Sequence, residues 1–349
     1  MLTKKETLLN LVELKPAQSE WHLPLFHAIC IGTPLLICLL IDRFEYGLMA
    51  TMPSLVALYY PNKLSTANKM LCMFLCSFTM IVSVAIGLLF SFNSIAAVLS
   101  FGIYSSAVHW LSNYYKLHYP RSFFFIMAAS VMVCIPINAD TMPLMVGLVA
   151  LGTISTCIIA FIYSILTRTK EDSPSKVYIA FDSSFDAKQS LVVGLFMSIS
   201  LYVAFYFDLN KPYWVPIACL TVLQGVNFSH MKIRSIHRVL GTSIGVGIAW
   251  VLSLYVSSPM AIIVGIMSLQ FIIGNLIPRN YGLAVMFITP LTILLTDFNA
   301  TDVGISSASM IDRLFDNIIG CIIGLIGGWV IYELDKKVLS IVKSNTSAH

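Results

Sequence analysis

The sequence predicts an all-α integral membrane protein with about twelve transmembrane helices arranged as a parallel 6+6 internal repeat. Three observations predict this fold class: an apolar composition, repeated apolar segments of spanning length, and an uneven distribution of basic residues. Hydrophobic residues make up 58% of the 349-residue chain, charged residues make up 11%, and the mean hydropathy is +0.84. Soluble domains carry roughly 25% charged residues, so this composition indicates a membrane protein.

Apolar segments of spanning length follow one another along nearly the whole chain. A hydrocarbon core of about 30 Å needs roughly 20 helical residues per crossing, and polar clusters end each segment. The predicted spans are residues 23–41, 46–60, 70–91, 94–113, 122–138, 142–166, 188–207, 212–227, 237–256, 259–276, 280–297 and 308–333.

The basic residues predict the orientation of these spans. With a cytoplasmic N-terminus, 18 of the 21 Lys and Arg residues fall on the inner side, and only Arg43, Lys211 and Arg313 fall on the outer side. Because Lys and Arg in short loops stay on the cytoplasmic side, we expect both termini to be cytoplasmic in a bacterial inner membrane.

The same boundaries divide the chain into five parts. Residues 1–22 are predicted to form a cytoplasmic N-terminal amphipathic segment lying on the membrane, with a disordered tail as the alternative. The first six-helix membrane repeat covers 23–166 and the second covers 188–333. A cytoplasmic linker at 167–187 joins them, and 334–349 form a cytoplasmic tail.

Two sequence correspondences predict the internal repeat. A Pro-Arg pair occurs at Pro120 and again 158 residues later at Pro278, and the segment from Tyr46 aligns with the segment from Tyr213. Six spans per half is an even number, so both halves enter the membrane in the same direction. The halves either enclose a substrate path or only record common ancestry.

Each Pro-Arg pair is expected to begin a span at the cytoplasmic face. Proline suits the first turn of a helix, where its missing N–H breaks no hydrogen bond. Arg121 and Arg279 would then flank an inner vestibule and attract anions. The alternative is that both side chains extend to lipid phosphates.

The second span of each half contains a proline and is short. Pro53 and Pro216 would break these two helices and leave backbone groups free to line a cavity. Trp214 would stand at the outer mouth, where ordinary aromatic belts also lie. Gln224, near the inner end, would be a ligand for a carboxylate.

A few ionisable and small residues inside the spans are further candidates. Arg313 and Asp316 are three apart and can pair on one helical face, either in substrate and proton handling or as a solvated ion pair. Asp140 and Asp297 end the fifth span of each half and are candidates for proton coupling, with helix-end solvation as the alternative.

Arg234 and Arg238 are four apart, and most of their basic cluster is expected to face lipid head groups. The small-residue pairs Gly241/Gly245 and Gly320/Gly324 predict close helix contacts.

The second half carries a family resemblance. The matching residues are Trp214, Pro216, Leu223, Gln224, Arg238, Gly241, Thr242, Gly245, Arg313, Asp316 and Gly320. With these residues the chain resembles the fusaric acid resistance protein-like family, which includes the aromatic acid exporters and is similar to plant aluminium-activated malate channels. The resemblance implies export of small, often aromatic, carboxylic acids, and in Gram-negative bacteria often a periplasmic membrane-fusion adaptor. Longer members carry a large cytosolic domain, so this chain looks like a compact member that lacks it.

The sequence therefore predicts an inner-membrane exporter of small organic anions, driven by proton exchange. Substrate contacts are assigned to Arg121, Arg279, Trp214, Gln224, Arg238 and Arg313, and proton coupling to Asp316, Asp140 and Asp297. The alternatives are a passive anion channel of the malate-channel type and a non-transporting scaffold for the adaptor. No nucleotide-binding loop or hydrolytic triad occurs, so we expect no enzymatic activity, cofactor, metal or nucleic-acid partner. Membrane lipids and a homo-oligomer are expected partners.

Overall fold

The computed structural model describes residues 20–61, 64–135, 140–167, 187–255, 258–296 and 307–346, together with Leu14 and Pro16. These residues form twelve α-helices and one 3-10 helix, with no strand among them. Most of the predicted amphipathic segment at the N-terminus and nearly all of the predicted linker lie outside the described residues.

Each half of the chain contributes six helices. The first half contains α1 (His22–Leu40), α2 (Phe44–Thr51) with the 3-10 helix (Pro53–Tyr59), α3 (Thr66–Phe90), α4 (Ser94–Tyr114), α5 (Phe123–Val133) and α6 (Met142–Leu166). The second half contains α7 (Ala187–Tyr206), α8 (Trp214–Leu223), α9 (Phe228–Ser253), α10 (Pro259–Leu276), α11 (Tyr281–Thr296) and α12 (Ser307–Thr346). Every predicted span coincides with one of these elements, so the all-α membrane fold is confirmed.

Eight of the described helices are long and apolar enough to cross a membrane. The shorter elements are α2 with its 3-10 helix, α5, α8 and α11. They are the second and the fifth element of each half. Short helices thus occupy the same two places in both halves.

The positions of four prolines explain one helix boundary and differ from the prediction at two others. Pro53 ends α2 and begins the 3-10 helix, so the predicted break at this proline is confirmed. Pro216 does not break α8, because it lies in the first turn, where no backbone N–H is needed. Pro120 and Pro278 were expected in the first turn of a helix, yet α5 and α11 each begin three residues later.

The start of α9 also differs from the prediction. The helix begins at Phe228, nine residues before the predicted boundary at 237, because the Asn227 side chain accepts a hydrogen bond from the His230 backbone N–H at 2.9 Å. An Asn at this position satisfies one of the unpaired N–H groups of the first turn. The basic stretch 230–238 is therefore helical and not an interfacial loop.

Consecutive helices run in opposite directions, so the bundle has two faces. We call the face at which the odd-numbered helices begin the near face, and the face at which they end the far face. Pairwise contacts agree with this arrangement. Gly102 of α4 meets Ser198 of α7, and nearer the start of α7 Gly194 meets Ser106, as antiparallel helices require.

Glycines set the closest helix contacts within each half. Gly87 of α3 faces the backbone of α5 at Ala129, and Gly245, 158 positions later in α9, faces the backbone of α11 at Met286. Gly152 of α6 faces the Ala50 carbonyl in α2.

The counterpart of this last contact lies in the second half. Gly320 of α12 faces the Val215 carbonyl in α8, and Gly324 faces Cys219 one turn further along. Gly241 and Gly245 face Val285 and Thr289 of α11. The predicted close contacts of both small-residue pairs are confirmed, and they lie within the chain.

Several helix pairs join the halves, among them α5 with α8 and two more extensive contacts. α4 packs against α7, and α1 packs against α10, so the fourth element of each half meets the first element of the other. At the second junction Gly32 faces Met267 and Gly274 faces Pro24. The remaining space between the halves holds the cavity described next.

Candidate functional site: a cavity between the two halves

A cavity of about 250 Å³ lies between the halves and is lined by residues from both. The first half contributes α1, α2, the 3-10 helix, the turn at 119–120 and α5, and the second half contributes α8 to α12. All four short elements reach this cavity. Because these elements are short, they leave space at the centre of the bundle, and this space is the cavity.

The first half supplies an apolar and aromatic wall. Phe123, Phe124 and Met127 of α5 line the cavity together with Leu55 and Leu58 of the 3-10 helix. Aromatic and methionine side chains present large polarisable surfaces. This wall suits the apolar body of a small ligand.

The second half supplies three arginines that line the cavity at different depths. Arg234 lies at the near end, Arg238 lies at mid-depth and Arg313 lies towards the far end. No Asp or Glu is among the cavity-lining residues in the described part of the chain. A cavity lined by one sign of charge in a low-dielectric setting concentrates ligands of the opposite sign, so this one favours anions.

Arg313 is held by an aromatic ring and a hydroxyl. Its guanidinium carbon lies 3.8 Å from the centre of the Trp214 ring, and one of its Nη groups donates a hydrogen bond to Thr292 Oγ1. Arg313 and Trp214 are each 5% exposed. A cation against a desolvated tryptophan is a strong contact of this type, so the two side chains form a fixed unit at the far end.

Arg238 lies much deeper than its place at the predicted start of a span suggested. It is the eleventh residue of α9, about 15 Å from the start of the helix at 1.5 Å per residue. Its Nε donates a hydrogen bond of 2.8 Å to Asn317 Oδ1, and the residue is 6% exposed. Because Asn317 fixes Nε, the guanidinium reaches the cavity in a set orientation.

Arg234 lies one turn before Arg238 and links the two halves. Its Nη2 donates to the Tyr119 hydroxyl at 3.1 Å, its Nη1 donates to the Gln224 carbonyl at 3.2 Å, and its guanidinium lies 4.6 Å from the centre of the Tyr281 ring. The predicted lipid-facing role for this cluster does not describe Arg234, which lines the cavity.

Neutral polar side chains complete the lining. His27 is 8% exposed and lies against the backbone of Ala57. Gln270 is 2% exposed and, like the lining residues Thr221, Thr242 and Thr289, belongs to the second half. These groups would supply donors and acceptors for the polar end of a ligand.

Several predicted substrate residues lie beside the cavity and not on it. Arg121 is exposed, and its backbone carbonyl accepts a 2.6 Å hydrogen bond from the Tyr59 hydroxyl. Arg279 is half-buried. Gln224 caps α8, and its amide donates to the Pro120 carbonyl at 3.4 Å. The two prolines of the Pro-Arg pairs line the cavity, whereas their arginines do not.

The predicted proton-coupling carboxylates have different settings. Asp316 is 1% exposed, and neither of its carboxylate oxygens accepts a hydrogen bond from a described residue. The neighbouring charges are Asp312, Arg313 and Lys211. Asp140 is exposed at the far face, and Asp297 lies outside the described residues.

Sequence reasoning missed Arg234, His27 and Gln270 as lining residues. A signal for Arg234 was present, because Arg234, Arg238 and Thr242 recur every four residues and so share one helical face. Placing the helix start at 237 excluded Arg234 from that pattern. His27 and Gln270 carry no such signal, since an isolated polar residue in an apolar span does not show which neighbour it faces.

Comparisons with known proteins agree with the second-half motif. The family model described as fusaric acid resistance protein-like matches residues 199–327. The predicted resemblance is confirmed. This matched region includes Trp214, Arg234, Arg238, Arg313 and Asp316, so all three cavity arginines lie within it.

A curated relative matches as well. The uncharacterized membrane protein YvaC of Bacillus subtilis is 30% identical over 165 residues, which cover 46% of this chain and 26% of that relative. The chain therefore spans about a quarter of the length of the relative it matches. No solved structure matches the chain. Together with its apolar helices, the similarity to the fusaric acid resistance protein-like family identifies a multi-pass membrane protein.

Proposed function

We propose that the protein exports small organic anions, in particular aromatic carboxylic acids, through the cavity between its halves. The observation that carries this proposal is the division of the lining, with three arginines on the second half facing an aromatic wall without charge on the first. An aromatic acid has the matching division into a carboxylate and a ring. The transporter assignment also rests on the fusaric acid resistance protein-like match.

The size of the cavity supports a small substrate. Pockets for drug-sized ligands occupy roughly 300–1,000 Å³, whereas this cavity holds about 250 Å³. Arg238 is the proposed central ligand for the carboxylate, because its Nε is held by Asn317 and the residue lines the cavity. Guanidinium–carboxylate pairs are frequently bidentate.

The proposed architecture is a parallel repeat of two six-helix units, with the path along their interface. Support comes from the short second and fifth elements of each half and from the glycine contacts at equivalent positions, Gly87 with Gly245 and Gly152 with Gly320. The proposed location is a bacterial inner membrane with both termini cytoplasmic, so that the near face is cytoplasmic. A periplasmic adaptor and a homo-oligomer remain proposed partners.

Proton exchange is the proposed energy source, and Asp316 is its best-supported group. The residue is buried beside Arg313, and its carboxylate oxygens accept no hydrogen bond from the described residues. Buried ionisable groups in membrane spans usually have a functional role. Asp140 is exposed, so it would serve only at the far mouth, and Asp297 is proposed by analogy with it.

The test is efflux of radiolabelled hydroxylated benzoates and simple dicarboxylates from proteoliposomes, with and without a pH gradient. We expect gradient-dependent efflux of an aromatic acid, which Arg238→Gln lowers at least tenfold. Lys232→Gln is the matched control, because it removes the same charge from an exposed position of the same helix.

Other outcomes separate the alternatives. Flux of anions that ignores the gradient would replace the coupled exporter with the passive channel. Absence of flux for every anion would leave the scaffold, and equal losses in Arg238→Gln and Lys232→Gln would remove the central role of Arg238.

A further inference from the structure

At the near end of the cavity, Arg234 contacts both Tyr119 and Tyr281, and we call this set of three residues the clasp. Tyr119 comes from the turn before α5 in the first half, Arg234 from α9 and Tyr281 from the start of α11. The Arg234 guanidinium donates to the Tyr119 hydroxyl and packs over the Tyr281 ring. The Arg234 side chain thus contacts both halves at the near end, next to the hydrogen bond from the Gln224 amide to the Pro120 carbonyl.

The clasp leaves hydrogen-bond donors unused. The Nε of Arg234 and the hydroxyl of Tyr281 are both buried, and neither makes a hydrogen bond of good geometry with a described residue, although the two side chains interact with each other. Buried polar groups are nearly always paired, and both residues line the cavity. The missing acceptor would be supplied by an anion entering there.

We propose that the clasp is a second anion site, separate from Arg238, and that a carboxylate bound to Arg234 releases Tyr119 and opens the near mouth. This inference rests on the proposed function. The phenol oxygen of Tyr119 is a neutral acceptor, and a carboxylate makes stronger, charge-assisted hydrogen bonds to a guanidinium. A carboxylate that takes both Nε and Nη2 of Arg234 displaces that phenol.

Release of Tyr119 has a defined structural consequence. Tyr119 belongs to the turn 115–122, whose backbone is held by hydrogen bonds such as Leu117 N–H to the Ser112 carbonyl at 2.8 Å and Arg121 N–H to the His118 carbonyl at 2.9 Å. Tyr119 is 51% exposed, so few other contacts hold its side chain. The anion therefore couples its own binding to loosening of this turn.

Hydrogen–deuterium exchange of the purified full chain in nanodiscs tests the proposal without any transport. Sodium benzoate is the probe, with sodium chloride at equal ionic strength as the reference. We expect benzoate to raise exchange of the amides in 115–122 by about threefold to tenfold, the range for losing one partly exposed hydrogen bond to a charged group. Arg234→Gln is expected to abolish the benzoate effect and to raise the basal exchange.

Two further variants keep the test decisive even if Arg234→Gln folds poorly. Tyr119→Phe removes the acceptor and keeps the ring, so it should raise basal exchange and lower the half-saturating benzoate concentration about threefold to tenfold. Lys232→Gln should behave as the unmodified protein. An unchanged turn in benzoate, or a Tyr119→Phe variant with unchanged basal exchange and benzoate response, would overturn the proposal.

Two comparisons distinguish this proposal from the proposed transport function and from binding of a lipid phosphate. Benzoate-dependent exchange without flux of any tested anion in proteoliposomes would remove the proposed function and keep the site, whereas flux without exchange changes would do the reverse. Nanodiscs of zwitterionic lipid are compared with nanodiscs containing phosphatidylglycerol. A response to that lipid with none to benzoate would assign the site to a lipid phosphate and overturn the soluble-anion proposal.

Discussion

The near and far ends of the cavity are both held by an arginine against an aromatic ring, but the partners come from different places. Arg234 joins the two halves through Tyr119, which is 51% exposed. The described contacts of Arg313 with Trp214 and Thr292 all lie in the second half, and Arg313 and Trp214 are 5% exposed. The arginine contact at the near end thus joins the two halves, whereas the Arg313–Trp214 contact at the far end lies in the second half, beside a hydrogen bond from Ser130 to the Tyr213 carbonyl that joins the halves there.

This difference limits how each end can open. A rocking of one half against the other separates Arg234 from Tyr119 but leaves Arg313 on Trp214. Separating Arg313 from Trp214 and Thr292 requires α8, α11 and α12 to rearrange inside the second half. The tight glycine contacts of α12 with α8 resist such a change, so we expect the far end to be the more stable of the two.

The largest expected loss of stability comes from a larger side chain between α12 and α8. A side chain at Gly320 would meet the Val215 carbonyl and Ala218, whereas nothing lies within 4 Å of a Cβ at Gly247. Gly320→Leu should lower the free energy of unfolding by about 3 kcal/mol or more, because backbone cannot move aside as a side chain can. Thermal unfolding in detergent measures this loss, and Gly247→Leu should unfold at or above the original temperature.

A smaller loss is expected from removing the far-end charge. Arg313→Gln should destabilise the protein by about 2 kcal/mol, since Asp316 then remains buried without its nearest cation. Arg234→Gln at the more exposed near end should cost about half as much. Asp316→Asn added to Arg313→Gln should recover part of the loss in a double-mutant cycle. Strict additivity would show that Arg313 and Asp316 act separately.

Most of the fold could be predicted from sequence, because hydropathy reports directly which segments enter lipid. The order of all twelve elements follows from apolar windows, and Pro53 marks the broken second element. The same measure failed at α9, where charged residues at 230–238 lowered the hydropathy of a true helix. Asn227, a favourable N-cap residue, marks the start of α9 in the sequence, whereas hydropathy alone does not.

The candidate site was less predictable, because lining a cavity depends on which way a helix faces. Trp214, Arg238 and Arg313 were identified through the family resemblance, and they do line the cavity. Arg279 was chosen because it follows Pro278 as Arg121 follows Pro120, yet only the prolines of these two pairs line the cavity. Which side chains face the cavity depends on how the helices pack, and a single sequence does not specify that packing.

The smallest expected effect separates the two arginine–aromatic contacts by ring chemistry. Tryptophan binds cations more strongly than phenylalanine, and such contacts contribute about 2 kcal/mol when desolvated and about 0.5–1 kcal/mol when exposed. Trp214→Phe should therefore cost about 1 kcal/mol, because the Arg313 guanidinium lies 3.8 Å from the centre of a buried ring. Tyr281→Phe keeps a ring under Arg234 at the near end and should cost less than about 0.5 kcal/mol. Thermal unfolding of both variants gives the comparison, and a larger loss in Tyr281→Phe would mean that the near end, not the far end, holds the cavity closed.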